Sequence, residues 1–573
     1  MTISIQTNWE VRPTNGSNTN GGGYAWGGGA SKSTPTDLVI DGSNSAIVSS
    51  SAYGFTSADV GRYIKITAGT GFIFGYYYII SVSSGNATLD RSAGTVSSTG
   101  GSVTIYYGID YSRQNAVNAN GGANGSSVLG VTNGTTTIVV ADAQFNEDIV
   151  GNVIYVAGGT GSVVAAWYQV ITFTNSTTIV VDRSTGLTAG TGVTVNIGGA
   201  LQTLAQVATN YLGGNRIWVK AEATITTATG IAFATSFAGT TAAFTMMSGY
   251  TTTRGDGGYV TVQLTSAVAN GPLQITGNNF FLENFICDAN SQTTSTGLYF
   301  NTNRCIAYNC KAMNATNHGI FFESLAGAIM YCEATACTGT TGISLLIDNG
   351  VIVYRNYVHD NALTGTAAGI FVTSGTGTSV VENIVYNNSG STTDGVSIVS
   401  ITNPCTIVYG NTIDASGRHG INISGSTLPG IVLQNNIISN SGHSTGTNAA
   451  TAYGLNGQLT TNVASPWIPF IDGNAYYNNL SGNYNNVADE GINNAGAGST
   501  PFRKVNDVIL TQSPFTSQGT DFSLNSTSGG GVAAISTGQP QTWLNLGGTE
   551  GSPSFGAVQP IGAATFPTVS FGG

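Results

Sequence analysis

Charge is scarce in this 573-residue chain: 16 Lys+Arg and 27 Asp+Glu make 8% of the residues, against about 25% in an ordinary soluble domain. A chain so poor in ion pairs must draw its order from hydrogen bonds and burial. The basic residues form no cluster and the net charge is −11, which argues against a nucleic-acid partner. No run of about 20 apolar residues exists, so no membrane insertion is expected. The stretch from Met1 to Ala30 carries Trp9, Glu10 and Arg12 and no apolar segment of the kind a secretory signal needs. The six cysteines (Cys287, Cys305, Cys310, Cys332, Cys337, Cys405) lack zinc spacing. They read as small buried hydrophobes, with one disulfide, Cys310 to Cys332, as the alternative should the two stack. No HExxH, phosphate-loop or dinucleotide motif occurs, so no metal and no cofactor is expected.

What the chain has is glycine, 80 of them, and 41% hydrophobic residues set in short periodic runs, which excludes disorder. Repeats organise it. Phe55 to Gly94 and Phe145 to Gly186 are two versions of one segment. Gly61 matches Gly151, Gly69-Thr70-Gly71 matches Gly159-Thr160-Gly161, and Asp90-Arg91-Ser92 matches Asp182-Arg183-Ser184, at offsets of 90 to 92 residues. Both alternate apolar and polar residues between glycine turns, as in Tyr63-Ile64-Lys65-Ile66, which predicts short antiparallel strands. The Asp-Arg-Ser triplets read as structural turns. Leu201 to Leu212 then places Leu201, Leu204, Ala205, Ala208 and Leu212 on one helical face before Gly213-Gly214. Such a helix would cap the open end of a solenoid.

The second half repeats every 22 to 28 residues along the row Asn284, Cys310, Cys332, Asn356, Asn383, Asn411, Asn436. Two places later every repeat is apolar (Ile286, Ala312, Ala334, Val358, Val385, Ile413, Ile438), and a further strand opens with glycine, as in Gly319-Ile320, Gly369-Ile370 and Gly420-Ile421. Strands of period two inside a repeat of this length predict one flat coil per repeat, stacked at about 4.8 Å. The asparagine row should then form an internal ladder, with the amides of Asn356, Asn383 and Asn411 in contact. The fold class is all-β: a right-handed parallel β-helix, a solenoid, preceded by two similar small antiparallel β-domains and a capping helix. The expected layout is an N-terminal arm (1–35), a first β-module (36–108), a linker (109–122), a second β-module (123–200), the capping helix (201–216), the parallel β-helix (217–465) and a C-terminal cap (466–573).

Several stretches carry a family likeness: the Leu201–Ile225 entry, the Asn and Gly coil rows, Gly473–Asn479, the Asp521–Asn525 and Gly556–Gln559 runs, Trp9–Arg12, Asn18–Gly23, Asp110–Ala116 and Thr252–Gly258. Together they resemble the right-handed parallel β-helix repeat proteins that bacteriophages carry. The resemblance implies a structural virion protein, a tail spike, tail fibre or capsid spike, engaged in host attachment and receptor binding. Its implied partners are copies of itself in a homotrimer, other virion proteins and a host cell-surface glycan or receptor. The same fold also serves polysaccharide lyases and hydrolases, so a depolymerase is the alternative, and a bacterial surface adhesin a second one. Arg254-Gly255-Asp256 is an integrin-type tripeptide that a glycine-flanked turn explains.

Two carboxylates at defined separation are what a glycosidase needs. The outward row Cys287, Met313, Thr335, His359, Tyr386, Asp414, Ser439, with Asp288, Asp360 and Asn387 beside it, holds one acid–base cluster: His359, Asp360, Tyr386 and Asp414. These are the candidate catalytic residues if the chain is an enzyme, and the balance is against one. Asp360 and Asp414 share a face only if a corner intervenes. Arg355 and Glu382 read as a stacked surface ion pair. Finally, the rows four and three places before the ladder (Phe280, Ile306, Ala328, Ile352, Ser379, Ile407, Val432; Phe281, Ala307, Ile329, Val353, Val380, Val408, Leu433) are both apolar. Strict alternation puts the second of them outside, where copies of the chain would bury it. A bulge or corner turning both inward is the alternative.

Overall fold

Strands that alternate inward and outward residues close into coils only if the chain turns sharply between them, and the computed structural model shows how it does so. It describes residues 7–537 apart from short internal segments, the longest of them 110–116, 119–127, 460–469 and 489–499. Cys405, the Asp110–Ala116 run, the end of the predicted helix at Leu212 and the Gly556–Gln559 run lie outside the described residues. The chain forms two compact units, one built on Met1–Thr224 and Ser236–Val260, the other on Ile225–Thr235 and Thr261–Phe566.

The second unit is a parallel β-solenoid; the whole solenoid makes about nine turns. Three parallel sheets form its faces. Within this unit the first face runs from Phe280–Glu283 to Arg503–Val505, the second from Ile225–Thr227 to Val508–Ile509, and the third from Ile231–Phe233 to Tyr484–Asn485. The turn from first to second face is a single residue in the left-handed region: Asn284, Asn309, Tyr331, Arg355, Glu382, Gly410, Asn435 and Gly473, at φ of 49 to 64°. A second such residue ends the second-face strand: Asn314, Ala336, Asp360, Asn387, Ala415, Asn440 and Asn478.

These corners correct two expectations. A left-handed residue breaks the alternation, so inward residues fall three apart across it. Val353 and Val380 are therefore fully buried inside the solenoid, and the row four places before the ladder faces outward, with Ile352 46% exposed. The second correction is one of register. Asn284 is the corner residue of its coil and pairs with Asn309, whose Nδ2 donates to Asn284 Oδ1 at 2.7 Å. Phe285, wholly buried, takes the place beside Cys310 in the internal row.

From Asn356 onward the ladder is as the row predicts. Asn356 Nδ2 donates to Asn383 Oδ1, Asn383 to Asn411, Asn411 to Asn436 and Asn436 to Asn474, each at 2.9 Å, and Asn474 ends on Asp507 at 3.2 Å. Each amide does more than touch its neighbour. Asn383 Oδ1 also accepts the backbone N–H of Asn356 at 2.9 Å, and Asn383 Nδ2 donates to the carbonyl of Val353 at 2.9 Å. The side chain thus satisfies the peptide groups that the corner takes out of the sheet. A second row, one place past the other corner, links Asn361 to Asn388 at 2.7 Å. The coils continue past residue 465 through Phe470–Asp472, Ala475–Tyr477 and Val508–Ile509, because steps of 38 and 33 residues (Asn436 to Asn474 to Asp507) hide a period that the backbone still keeps. The glycines that open the third-face strands have a packing reason. A Cβ on Gly319 or Gly369 would lie 2.5 or 2.8 Å from the carbonyl oxygen of the next coil's glycine. The described cysteines, Cys287, Cys305, Cys310, Cys332 and Cys337, are buried free thiols; none forms a disulfide.

In the first unit, two antiparallel sheets share one topology. Strands Ser102–Ile109, Arg62–Ala68, Gly75–Ser83, Asn86–Leu89 and Ile47–Ser49 stand in the same order as Thr194–Ile197, Val153–Ala157, Ala166–Asn175, Thr178–Val181 and Thr137–Val140. The Asp-Arg-Ser turns match in detail. Asp90 and Asp182 each accept a backbone N–H at 3.0 Å, from Tyr78 and from Gln169. Arg91 and Arg183 each lie 4.4 Å over a tyrosine ring, Tyr77 and Tyr168. Each arginine also bonds its neighbouring aspartate and a backbone carbonyl, of Tyr76 and of Trp167. The predicted helix spans Leu204–Asn210, its first turn held by Thr203, whose Oγ1 accepts from Gln206 N at 3.2 Å. One strand was not legible in the sequence: Thr7–Val11, in the expected N-terminal arm, pairs in parallel with Arg216–Lys220. Its Glu10 is buried and bonded to Arg254 at 2.5 Å and Arg12 at 2.6 Å, and Asp256 accepts the N–H groups of Thr251, Thr252, Thr253 and Gly258. The Arg-Gly-Asp tripeptide is thus a structural turn whose arginine is buried.

Each buried group left unpaired costs about 1–3 kcal/mol. Asn383→Leu, which orphans the Val353 carbonyl and the Asn356 N–H, is therefore expected to lower stability by about 3 kcal/mol in denaturant unfolding. An unchanged midpoint would remove the ladder from the list of what holds the coils.

Candidate functional site on the second face

From Phe285–Asp288 to Ala475–Tyr477 the second-face strands are three or four residues long, with two outward positions flanking one inward position. The outward row nearer the second corner reads Asp288, Met313, Thr335, His359, Tyr386, Asp414, Ser439, Tyr477 in direct register. His359, Tyr386 and Asp414 therefore stand on consecutive coils. The register shift of the first coil puts Asp288 in this row and turns Cys287 inward. Asp360 is the corner residue, at φ 52°, which is how it comes to the same side as His359.

His359 sits between carboxylates. Its Nδ1 is 2.8 Å from Asp360 Oδ2 and its Nε2 is 3.0 Å from Glu333 Oε1, while Tyr357 stacks on the ring at 3.8 Å. Lys311 Nζ donates to the same Glu333 oxygen at 2.8 Å. Burial pushes the Glu333 carboxyl up, but the hydrogen bonds from His359 and Lys311 outweigh it and hold the group below its ordinary value. Lys311, Glu333 and Tyr357 belong to the other outward row, two places before the first. Reading both outward parities of each strand would have found them. Asp360 Oδ1 accepts from Asn387 Nδ2 at 2.6 Å, and Asn387 Oδ1 accepts from the backbone and hydroxyl of Thr445 at 2.8 and 2.9 Å.

Asp414 is in a different setting. It has no exposed surface, although it stands on the outer side of its strand. Ser439 Oγ and Asn440 Nδ2 both donate to its Oδ1 at 2.7 Å, and Gln518 Nε2 donates to Oδ2 at 3.0 Å. Gln518 lies at the tip of a hairpin, Phe515–Ser517 with Asp521–Leu524, that folds back over the second face. Phe515, Phe522, Leu510 and Ala534 pack there on Ile384, Ile437 and Ala475. The Phe522 ring meets Tyr386 edge-on at 5.2 Å. Gly519, at φ 82°, comes so near that a Cβ would lie 2.4 Å from the Tyr386 hydroxyl. This cover joins positions 104 residues apart, and no local pattern announces it. Burial raises the carboxyl of Asp414 above its ordinary range, against the donors around it, and raises the Tyr386 phenol, with Asp414 and Asp360 adding to the effect.

The four sequence candidates are thus brought to one face but not to one open site. Lys311, Glu333, His359 and Asp360 form one continuous hydrogen-bonded chain. Asp414 cannot join it as the second carboxylate of a glycosidase pair, because it is sealed. The expected Arg355–Glu382 pair is present at 2.6 Å, at the other corner. Among the described residues no group of His, Cys, Asp and Glu could hold a metal ion, and no helix is long and apolar enough to cross a membrane.

Comparison with known proteins finds one family model that matches part of the coils. Residues 296–462 match the model of the right handed beta helix region. No curated protein matches the chain. Among solved structures it is similar to pectate lyase Pel9A (12% identity, 63% of this chain and 91% of that one, TM-score 0.40). It is similar also to the A-module of the Azotobacter vinelandii mannuronan C-5 epimerase AlgE4 (10% identity, 51% and 86%, TM-score 0.37) and to the Dettilon tailspike protein (14% identity, 54% and 64%, TM-score 0.33). At such identity nothing about activity passes from these proteins to this chain.

The raised carboxyl of Asp414 sets a pH dependence. Between its unfolded value, about 3.9, and the higher folded value, the native state holds the proton more tightly than the unfolded one. Stability from this group therefore falls as pH rises through that window, and nothing is lost below it. In Asp414→Asn the Gln518 amide can turn over to accept, and the dependence disappears. The difference in unfolding midpoint between variant and parent should move in the variant's favour from pH 3.5 to pH 7; a constant difference would show that Asp414 titrates normally.

Proposed function

We propose that the chain is a structural component of a bacteriophage virion, a tail spike, fibre or capsid spike, that attaches the particle to its host surface. The observation that carries this reading is the closed second face: the row aligning His359, Tyr386 and Asp414 is covered at Tyr386 and Asp414 by the chain's own hairpin. A scaffold whose polar groups are spent on fixing its coils suits a rigid attachment element. The segmental likeness to phage-type β-helix proteins supports the same reading. So does the low charge, which leaves few ion pairs for salt to screen. In this reading the partners are other virion proteins, further copies of the chain in a three-fold spike and a host surface glycan or receptor.

A second reading, a polysaccharide depolymerase, is favoured by one observation: His359 stands between Glu333 and Asp360, and the Asp360 side chain is 51% exposed. One pair of measurements separates the two. Mass spectrometry of purified particles should find the chain. Incubation with bacterial capsular and envelope polysaccharides should leave polymer length unchanged on gel filtration. Shortening that is lost in His359→Ala would establish the enzyme, and absence from particles would sink the virion role.

A further inference from the structure

The outer side of the first face carries a line of rings in four consecutive coils. Phe281 and Tyr308 stack with centroids 6.2 Å apart, Tyr308 meets Tyr331 at 5.4 Å and 64°, and Tyr331 meets Tyr354 at 5.7 Å and 85°. The Arg355 guanidinium lies 5.0 Å over Tyr354 and pairs with Glu382. Both charged side chains are open to water, at 43% and 30% exposure. Beside them Ile352 is the exposed aliphatic residue of the row. Phe281 at the foot of the line is buried, the three tyrosines are half-buried, and above Tyr354 the stripe gives way to Val381, Tyr409 and Gln434, which are buried.

A second feature marks the same coils. The left-handed corner between first and second face is Asn or Gly in five of the eight coils from Asn284 to Gly473, and Tyr331, Arg355 and Glu382 in the other three. Asn and Gly adopt this conformation at little cost, whereas bulky side chains are strained in it. Strain held at three successive corners, all bordering the ring stripe, is the pattern of a functional surface.

We infer that this stripe is a saccharide-binding site, running from Tyr308 to the Arg355–Glu382 pair and separate from the second-face cluster. The inference rests on the attachment reading and supplies its contact surface. A pyranose ring has an apolar C–H face that packs on an aromatic face, and a rim of hydroxyls that both donate and accept. The stripe offers the matching parts: rings tilted against each other by 64 and 85°, which leave notches between a face and an edge, and phenol, guanidinium and carboxylate groups along one side. A second copy of the chain fits less well. It would have to desolvate the Arg355–Glu382 pair and the phenol hydroxyls against a surface that is notched rather than flat.

The test uses the full chain on an array of immobilised bacterial capsular and envelope polysaccharides, with whole-cell binding measured in parallel. Tyr331→Asn and Tyr354→Ala should each weaken saccharide binding about tenfold or more, while Tyr299→Ala on the third face leaves it unchanged. Tyr331→Asn separates binding from folding, because it returns the corner to the residue that suits it; its thermal midpoint should equal or exceed the parent's. Unchanged array binding in both variants overturns the stripe and leaves the attachment reading intact. An array with no binding at all also overturns it, and whole-cell binding then decides attachment separately. A change of oligomeric state in Tyr354→Ala, with array binding retained, would assign the stripe to self-association instead.

Discussion

Each coil of this solenoid must turn twice within about five residues, and each turn lifts peptide groups out of the sheets that would otherwise pair them. Buried peptide groups without partners are not tolerated. The Asn356–Asn474 ladder answers that constraint: one side chain caps the N–H of its neighbour's corner, a carbonyl of the preceding strand and the next amide in line. The rest depends on it. Because the corner is fixed by a single left-handed residue, the strands before and after it keep a constant register over several coils, and outward side chains fall into straight rows. A row of His359, Tyr386 and Asp414, or of Tyr308 and Tyr354, is a by-product of that register.

The two outer faces described use their rows differently. On the second face the C-terminal hairpin buries Ile384, Ile437 and Ala475 and closes over Asp414, so the acid–base residues there divide into a sealed group and an open one. On the first face aromatic and charged side chains remain at the surface. An ion pair such as Arg355–Glu382 contributes little to stability in that position. Its presence at strained corners is therefore better explained by what it faces than by what it holds.

Much of the fold was legible because the solenoid writes its geometry into the sequence as period and row. The asparagines from Asn356, the glycines at the third-face openings and the duplicated Asp-Arg-Ser turns are all local or periodic signals. The errors have a common cause. Alternation predicts that Val353 faces outward, and only the left-handed conformation of Arg355, which nothing in an arginine announces, turns it inward. The same rule misplaced Asn284, where an asparagine at a corner looks identical to an asparagine in the ladder. At the candidate site, His359, Tyr386 and Asp414 could be aligned by counting residues. Gln518 and Phe522 could not, since tertiary cover leaves no trace in spacing, and Thr7–Val11 escaped because its paired residues lie 208 positions away.

That last pairing has a topological consequence. Thr7–Val11 and Arg216–Lys220 are neighbours in one sheet, so both antiparallel modules are carried between two adjacent strands, as a loop grown to domain size. Closing a flexible loop of such length costs only logarithmically more than closing a short one. A folded module is cheaper still to span, since its internal disorder is already gone. The Thr7–Val11 strand is then synthesised before both modules and before the strand it pairs with. Until the modules have folded, the edge of Arg216–Lys220 that it covers stays open to any other extended chain, and the order in which the parts fold becomes as much a property of the sequence as the coils themselves.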